Sequence, residues 1–169
     1  MADLFLQIWK IRNEKLHIIF KGILNMIKVI FLCHGNICRS PAAEFIFKDM
    51  VNKAGLSDKY EITSKALTND EKGNDIYPPT KECLRKHGIP FEKRMASKFT
   101  EEDYKYYDHI YLMDESNQRL FNNICEDNKH KVELLNGYIE DPWYTGNYEK
   151  VYEEIYDGCK RVLKETQND

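Results

Sequence analysis

The sequence lacks several features that would assign it to a specialised class of protein. No apolar run approaches the roughly 18 residues of a membrane-spanning helix, and no repeats, low-complexity tracts or Gly/Ser linkers occur in the 169 residues. Positive charge is not in excess, since the formal net charge is −3, so no broad surface for nucleic acid or anionic membrane is implied. What remains, 42% hydrophobic and 31% charged residues, is typical of a soluble globular chain that forms one domain with a sizeable core.

The five cysteines lack the spacing of a disulfide framework and of paired Cys-x2-Cys zinc motifs. Their number is odd, which also argues against complete pairing. We therefore expect reduced thiols and a cytoplasmic location, and no metal or other cofactor. Three of the cysteines fall on helical patterns and are expected in the core, namely Cys83, Cys125 and Cys159.

The first 25 residues lack the uninterrupted apolar stretch and the small-residue cleavage site of a signal peptide. They mix apolar and charged residues at loosely helical spacing. We expect residues 1–25 to be an N-terminal extension that the domain of residues 26–169 can dispense with. A structural helix and a peripheral amphipathic helix are the alternatives, and we expect no membrane contact.

Strand-like and helix-like segments alternate along the rest of the chain, which predicts a parallel sheet covered by helices. The pattern predicts strands at 27–32, 61–66, 110–113 and 132–135. It predicts a first helix that starts with Pro41 and runs to about Ala54, with Gly55 as its stop. Further helices are expected over 80–87, after a cap at Thr100, after the third strand to about Cys125, and after a cap at Asn147.

The strongest pattern lies between the first predicted strand and helix: Cys33-His34-Gly35-Asn36-Ile37-Cys38-Arg39-Ser40-Pro41. A short strand-to-helix loop points several backbone N–H groups at one spot, and the helix N-terminus adds partial positive charge. Arg39 can close the other side with a planar fork that matches phosphate oxygens. The pattern predicts a phosphate-binding cradle with the Cys33 thiolate at its base.

Each residue type in this cradle suits a step of phosphoryl transfer. Cys33 is predicted to attack phosphorus as the nucleophile, and Arg39 to hold two equatorial oxygens of the transition state. The Ser40 hydroxyl is predicted to donate to the thiolate. The residues between them are expected to line the phosphate site: His34, Gly35, Asn36, Ile37 and Cys38.

A second motif, Asp141-Pro142-Trp143-Tyr144, follows roughly a hundred residues downstream. A phenolate leaves poorly at neutral pH, so a carboxylic acid that protonates it accelerates the reaction by about 10²–10⁴-fold. Asp141 is predicted to be this acid, and to act as the base for water in a second step. Trp143 and Tyr144 are predicted to form an aromatic wall for a substrate ring.

Together these motifs resemble the low-molecular-weight protein tyrosine phosphatases. The cysteine loop is similar to the family's loop at every position, and the aspartate motif is similar to its acid loop. Met113–Asn117 and Lys86–Ile89 also resemble family segments, and the resemblance covers roughly residues 26–163. It implies a four-stranded parallel sheet with helices on both faces and the phosphate-binding loop after the first strand. It also implies hydrolysis of protein phosphotyrosine as the activity.

The resemblance implies supporting roles as well. Asn36 lies at a sharp turn, where asparagine tolerates left-handed geometry. In similar proteins the matching asparagine braces the loop with a serine and a histidine, and Ser64 and His87 occupy those positions here. Cys38 is expected to form a reversible disulfide with Cys33 under oxidation, as the second cysteine does in the family.

Three other functions remain as alternatives. Arsenate reductases with this loop need a further cysteine pair, and the remaining cysteines are not close in sequence. Protein arginine phosphatases carry threonine where this chain has Ile37, and isoleucine favours phosphotyrosine. A non-catalytic phosphate-binding or phosphotransfer module would not need Asp141 beside an aromatic pair.

The chain departs from the commonest family pattern around the second strand. Lys65 stands where a small residue is usual, and Asp70 and Glu71 stand where many members place an aromatic residue. A carboxylate at the rim of the site is predicted to disfavour acidic residues that flank a phosphotyrosine.

Overall fold

The computed structural model describes residues 7, 11–16 and 26–167. Residues 11–16 are helical and exposed, and most of the predicted extension of residues 1–25 lies outside the described residues. Within the described part of the chain, no helix has the length and apolarity to cross a membrane.

The described residues contain four strands, which form one fully parallel sheet in the order β2-β1-β3-β4. The strands are β1 (Ile27–Cys33), β2 (Tyr60–Ala66), β3 (His109–Leu112) and β4 (Val132–Leu134). The predicted parallel sheet is therefore confirmed, and its strands differ from the predicted bounds by about one residue at either end. A short 3₁₀ turn, Ser57–Lys59, precedes β2.

Helices cover both faces of this sheet, as predicted. They are α1 (Arg39–Lys53), α2 (Pro78–Lys86), α3 (Glu101–Tyr106), α4 (Glu115–Asn122), α5 (Pro142–Thr145) and α6 (Tyr148–Thr166). Val29 and Phe31 of β1 pack on one face with apolar residues of α1 and α6. Ile30 and Leu32 pack on the opposite face with residues of α3 and α4. Because both faces are covered, β1 is apolar throughout its centre rather than alternating.

Several helix boundaries differ from the prediction, and proline explains two of them. Helix α1 begins at Arg39, so Pro41 is its third residue rather than its first. No N–H in the first turn has an intrahelical partner, so proline costs nothing there. Helix α2 begins at Pro78, two residues before the predicted start. Proline is tolerated there as well, because its missing N–H would have no intrahelical partner.

One of the two predicted helix caps forms its hydrogen bonds, and the other does not. Thr100 and Asp103 form the reciprocal capping box that the sequence predicts. Asn147 occupies the N-cap position of α6, but its side chain makes no capping hydrogen bond. Helix α4 ends at Asn122 rather than near Cys125, in a turn where the backbone N–H groups of Ile124 and Cys125 both donate to the Phe121 carbonyl.

The predicted core cysteines are in or beside the core. Cys83 and Cys159 are buried, and partly buried Cys125 packs against the cluster on the α3–α4 face.

The carboxyl ends of all four strands meet at one edge of the sheet, which is where ligands bind in open α/β folds. Cys33 ends β1, and Ala66 pairs with it at the end of β2. Asp114 follows β3, and the chain that leaves β4 reaches Asp141. This topology gathers residues from distant parts of the sequence at one place.

Candidate active site

The loop from β1 to α1 folds around the Cys33 thiol. The side chain of Cys33 is nearly buried, with 3% of its surface exposed. The backbone N–H of Asn36 donates to its sulfur over 3.3 Å, and the Ser40 hydroxyl lies 3.0 Å from it. The thiol therefore sits at the base of the loop, as the sequence predicts.

Asn36 turns the loop and sets the direction of its hydrogen bonds. Its φ of 61° is in the left-handed region, which costs a residue with a side chain about 1–3 kcal/mol unless contacts hold it. Its side-chain amide donates to the hydroxyls of Ser40 (2.8 Å) and Ser64 (2.9 Å). The Ser40 oxygen accepts from Asn36, and its own proton has two acceptors within reach: the Cys33 sulfur at 3.0 Å and, farther away, the Lys65 carbonyl at 3.5 Å.

Arg94 holds Asn36 in this conformation, a role that sequence reasoning missed. Its guanidinium donates to the Asn36 carbonyl (3.1 Å), to the Asn36 side-chain oxygen (2.6 Å) and to the Ser64 carbonyl (3.0 Å). Buried Glu44 completes the network, since it accepts from the Ser64 hydroxyl (2.6 Å) and lies 3.6 Å from Arg94 Nε. A chain of donors thus runs from Arg94 through Asn36 and Ser40 to Cys33.

The structure does not bring His87 to the loop, so the predicted support by this residue is wrong. Its Nε2 pairs with Glu149 over 2.7 Å, and its ring stacks on Tyr152 with centroids 3.6 Å apart. His87 directly follows α2, and Gly88 (φ 68°) turns the chain away there. The other predicted partner, Ser64, does contact Asn36.

Arg39 is almost completely buried, with 2% of its surface exposed, and spans the cleft between two carboxylates. One guanidinium nitrogen donates to Asp114 and to the Ile139 carbonyl, and the other donates to Asp141 over 2.8 Å. Burial alone would lower the pKa of Arg39, but the negative charges of Cys33, Asp141 and Asp114 raise it above its ordinary value. The guanidinium therefore stays charged and fixed in direction.

Asp114 positions Arg39, and sequence reasoning assigned it no role. Burial opposes its charge, but hydrogen bonds from Ser116, Arg39 and the Asn117 backbone hold its pKa below the usual range. It also caps α4, because its side chain accepts from the Asn117 N–H over 2.8 Å. A rigid helix start thus anchors the arginine from the side opposite Asp141.

Asp141 stands at the start of α5, beside the same arginine. One carboxylate oxygen accepts from Arg39, and the other accepts from the Trp143 N–H over 3.1 Å. Its side chain stays partly exposed at the cleft wall. The predicted nucleophile, clamp and acid therefore converge on one cleft of about 820 Å³, which all three line.

Aromatic and acidic residues both line the cleft. Trp143 and Tyr144 are 52% and 84% exposed, and Tyr138, which sequence reasoning missed, is 71% exposed and lines the same cleft. Such exposed aromatic surface at a cleft is suited to hold a planar ring. Asp70 and Glu71 also line the cleft. A Cβ on Gly35 would lie 2.9 Å from the Glu71 side chain, so the loop approaches this acidic segment closely.

His34 faces the acidic segment with its side chain. Its Nε2 lies 2.6 Å from an Asp70 carboxylate oxygen, and both side chains are exposed. The imidazole thus pairs with Asp70, and the backbone of His34 is the part that continues the loop.

Ile37 and Cys38 pack on the inner side of the loop with Ala96. Burial raises the pKa of the Cys38 thiol to about 12, so this second cysteine is protonated at rest. All five cysteines are free thiols, and a disulfide between Cys33 and Cys38 stays a prediction.

Comparisons with known proteins match most of this chain. The sequence model of the family described as low molecular weight phosphotyrosine protein phosphatase matches residues 28–169. The mouse low molecular weight phosphotyrosine protein phosphatase is 40% identical over 150 residues, which are 82% of this chain and 94% of that protein.

Solved structures share the fold. The crystal structure of YfkJ from Bacillus subtilis superposes with a TM-score of 0.82 at 36% identity, over 85% of this chain and 96% of that one. The structure of a drosophila arginine phosphatase superposes with a TM-score of 0.76 at 27% identity, over 85% of this chain and 99% of that one.

Proposed function

Because the chain belongs to the low molecular weight phosphotyrosine protein phosphatase family, we propose that it hydrolyses phosphotyrosine in proteins, and small aryl phosphates, through a cysteinyl-phosphate intermediate. The observation that carries this proposal is the convergence of Cys33, Arg39 and Asp141 on one cleft. A thiolate, a fixed guanidinium and a carboxyl group are the parts that two-step displacement at phosphorus requires.

In the first step the Cys33 thiolate attacks phosphorus, a sulfur–phosphorus bond forms and the bond to the tyrosyl oxygen breaks. Protonated Asp141 gives its proton to that oxygen, so tyrosine leaves as a neutral phenol. The Ser40 hydroxyl, 3.0 Å from the sulfur, stabilises the thiolate before attack. Trp143 and Tyr144 offer an aromatic surface against which the tyrosine ring packs.

Arg39 changes partners when substrate binds. Without substrate, one of its nitrogens donates to Asp141 over 2.8 Å. A phosphate dianion competes for this nitrogen and displaces the Asp141 carboxyl group from it. Asp114 keeps the other end of the guanidinium fixed. Substrate binding thus does two things at once. It releases Asp141 from Arg39, so that Asp141 can act as the acid, and it brings the guanidinium onto the phosphate.

In the second step water attacks the phosphocysteine. The Asp141 carboxylate takes a proton from this water, the sulfur–phosphorus bond breaks, and the thiolate and inorganic phosphate are regenerated. The charge that spreads over the equatorial oxygens is held by Arg39 and the loop N–H groups throughout. Neither step needs a metal or a cofactor. We further propose that residues 26–169 are the catalytic domain, that residues 1–25 are dispensable and that the protein acts in the cytoplasm.

Arginine phosphatase activity is the second candidate, because a drosophila arginine phosphatase shares the fold. Ile37 is the discriminating residue. It packs with Cys38 and Ala96 and lines the cleft, and it offers no hydroxyl to a phosphoramidate. We therefore expect phosphotyrosine to be the better substrate.

The test is turnover on matched phosphotyrosine and phosphoarginine peptides in the presence of EDTA. Wild type is compared with Cys33→Ser, Asp141→Asn and Ile37→Thr. We expect phosphotyrosine turnover by wild type, none by Cys33→Ser, and a loss of about 10²–10³-fold in Asp141→Asn. A preference of wild type for phosphoarginine would contradict the proposed substrate, and full activity of Asp141→Asn would contradict the proposed acid.

A further inference from the structure

A group of metal-ligand types lies on the side of α2 that faces α6, away from the Cys33 cleft. Among the residues that the structure describes, Cys83, His87 and Glu149 place a sulfur, an imidazole nitrogen and a carboxylate oxygen within 4.8 Å of one another. None of the three lines the cleft that contains Cys33. The proposed phosphatase reaction assigns them no role.

The arrangement suits a tetrahedral ion. Zinc–ligand bonds of about 2.3 Å to sulfur and about 2.0–2.1 Å to nitrogen or oxygen put tetrahedral ligands about 3.3–3.6 Å apart. Here the His87 Nε2 is 2.7 Å from one Glu149 oxygen, and the Cys83 sulfur is 4.0 Å from the other. The three ligand atoms lie within 4.8 Å of one another, so shifts of about an ångström, within reach of side-chain rotation, bring them to these distances.

The scaffold fixes two of the ligands before any ion binds. Cys83 and His87 are four residues apart at the end of α2, so they share one helix face. The His87 ring stacks on Tyr152 with an interplanar angle of 10°, which holds its Nε2 towards Glu149. Glu149 comes from the first turn of α6. An ion at this point would join the end of α2 to the start of α6.

A metal ion would have to displace the ammonium group of Lys86 from Glu149. Lys86 donates to Glu149 over 2.8 Å and now supplies the positive charge at this site. Its side chain is 66% exposed, so it can leave the carboxylate for solvent. Binding converts the Cys83 S–H into a metal–sulfur bond and releases one proton to water, with no change of oxidation state.

We propose that Cys83, His87 and Glu149 bind a divalent transition-metal ion, with Zn²⁺ as the best match to a thiolate, imidazole and carboxylate set. Water completes the fourth position, because Glu149 is half exposed. The bound ion cross-links α2 and α6, and the site is separate from the catalytic cleft. It raises the stability of the fold and takes no part in the phosphatase reaction.

The test uses the full chain carrying Cys33→Ser, so that the nucleophile cannot bind metal. Co²⁺ is titrated in, and the charge-transfer band of a cobalt–thiolate bond is followed, with Zn²⁺ then added to displace Co²⁺. We expect one equivalent to bind with this band, and Cys83→Ser or His87→Gln added to that background to weaken binding at least tenfold. Cys125→Ser is the matched control and should bind as before.

Two further variants keep the proposal testable where Cys83→Ser does not fold. Glu149→Gln should weaken binding, whereas Lys86→Met should strengthen it, because the competing cation is gone. The thermal midpoint gives a second readout: Zn²⁺ should raise it in the Cys33→Ser chain and raise it less when His87→Gln is added. Absence of the thiolate band, a band that survives Cys83→Ser, or equal affinity in Lys86→Met would overturn the proposal.

Discussion

Replacing Arg94 with methionine tests the brace behind the phosphate loop. Arg94 lies outside the catalytic cleft, and its side chain is mostly buried. It donates three hydrogen bonds, two to Asn36 and one to Ser64. Methionine fills a similar volume but offers no donor, so Asn36 loses two of the hydrogen bonds that hold its left-handed backbone and keeps those to Cys33, Ser40 and Ser64.

The expected size of the effect follows from these contacts. Hydrogen bonds to a charged group contribute about 1.5–3 kcal/mol each, and shared contributions do not add fully. Glu44 also loses a nearby cation, although Lys48 still pairs with it over 2.6 Å. We expect Arg94→Met to lower the free energy of unfolding by about 2–4 kcal/mol. A loop displaced by about 1 Å loses up to about 10²-fold in rate, so kcat should fall about 10–100-fold.

The assay combines denaturant unfolding, turnover of an aryl phosphate and the rate of Cys33 alkylation by iodoacetate. Alkylation reports thiolate reactivity, which a purely structural role of Arg94 would leave unchanged in the folded protein. Lys93→Met is the matched control, because exposed Lys93 is the neighbouring residue and the change removes the same charge. Unfolding within about 0.5 kcal/mol of wild type, together with unchanged kcat and alkylation, would refute the reasoning.

Three further predictions concern the cleft. Asp70→Asn with Glu71→Gln should raise kcat/KM several-fold on peptides with acidic flanks relative to basic ones, less so at high salt; equal ratios in wild type and variant would contradict the role of the rim. Asp114→Asn should lower kcat about tenfold or more and weaken inhibition by inorganic phosphate, which loss of stability alone would not produce. Cys38→Ser should keep its turnover under reducing conditions but lose recovery from peroxide treatment, and full recovery by thiols would contradict the predicted disulfide.

The sequence predicts the parts of the site that are local. Cys33, Arg39 and Ser40 lie within one strand-loop-helix segment, where the residue types and the expected turn define a phosphate cradle. Asp141 was predictable because it opens a recognisable motif beside aromatic residues. The alternating elements likewise predict the parallel sheet, since short apolar strands buried on both faces favour it.

The residues that sequence reasoning missed act through tertiary contacts. Asp114 meets Arg39 across 75 positions, and Arg94 meets Asn36 across 58. Arg94 lies in a segment without regular secondary structure, so no periodicity indicates which way it points. An aspartate at a predicted helix cap after a strand was a usable signal for Asp114. The alternation of strands and helices does not predict the strand order either, because that order depends on how the crossover connections pack.

The error on His87 has a similar origin. Its place in a segment that resembles the family suggested a role, but the end of α2 faces α6 rather than the phosphate loop. Glu149 and Tyr152, both on α6, take its polar edge and its ring face. Arg94, a residue with more donors, supplies the brace instead.

The central claim is a covalent phosphate on Cys33, and single-turnover quenching tests it most directly. Asp141→Asn enzyme, which lacks the base for the second step, is mixed with an excess of an aryl phosphate whose phenol is acidic enough to leave without protonation, quenched at neutral pH within its first turnover, digested and analysed by mass spectrometry. Our account predicts a phosphoryl group on Cys33 in near-stoichiometric amount, which decays as inorganic phosphate appears. A phosphate-free Cys33 throughout a turnover that still releases phosphate would contradict it.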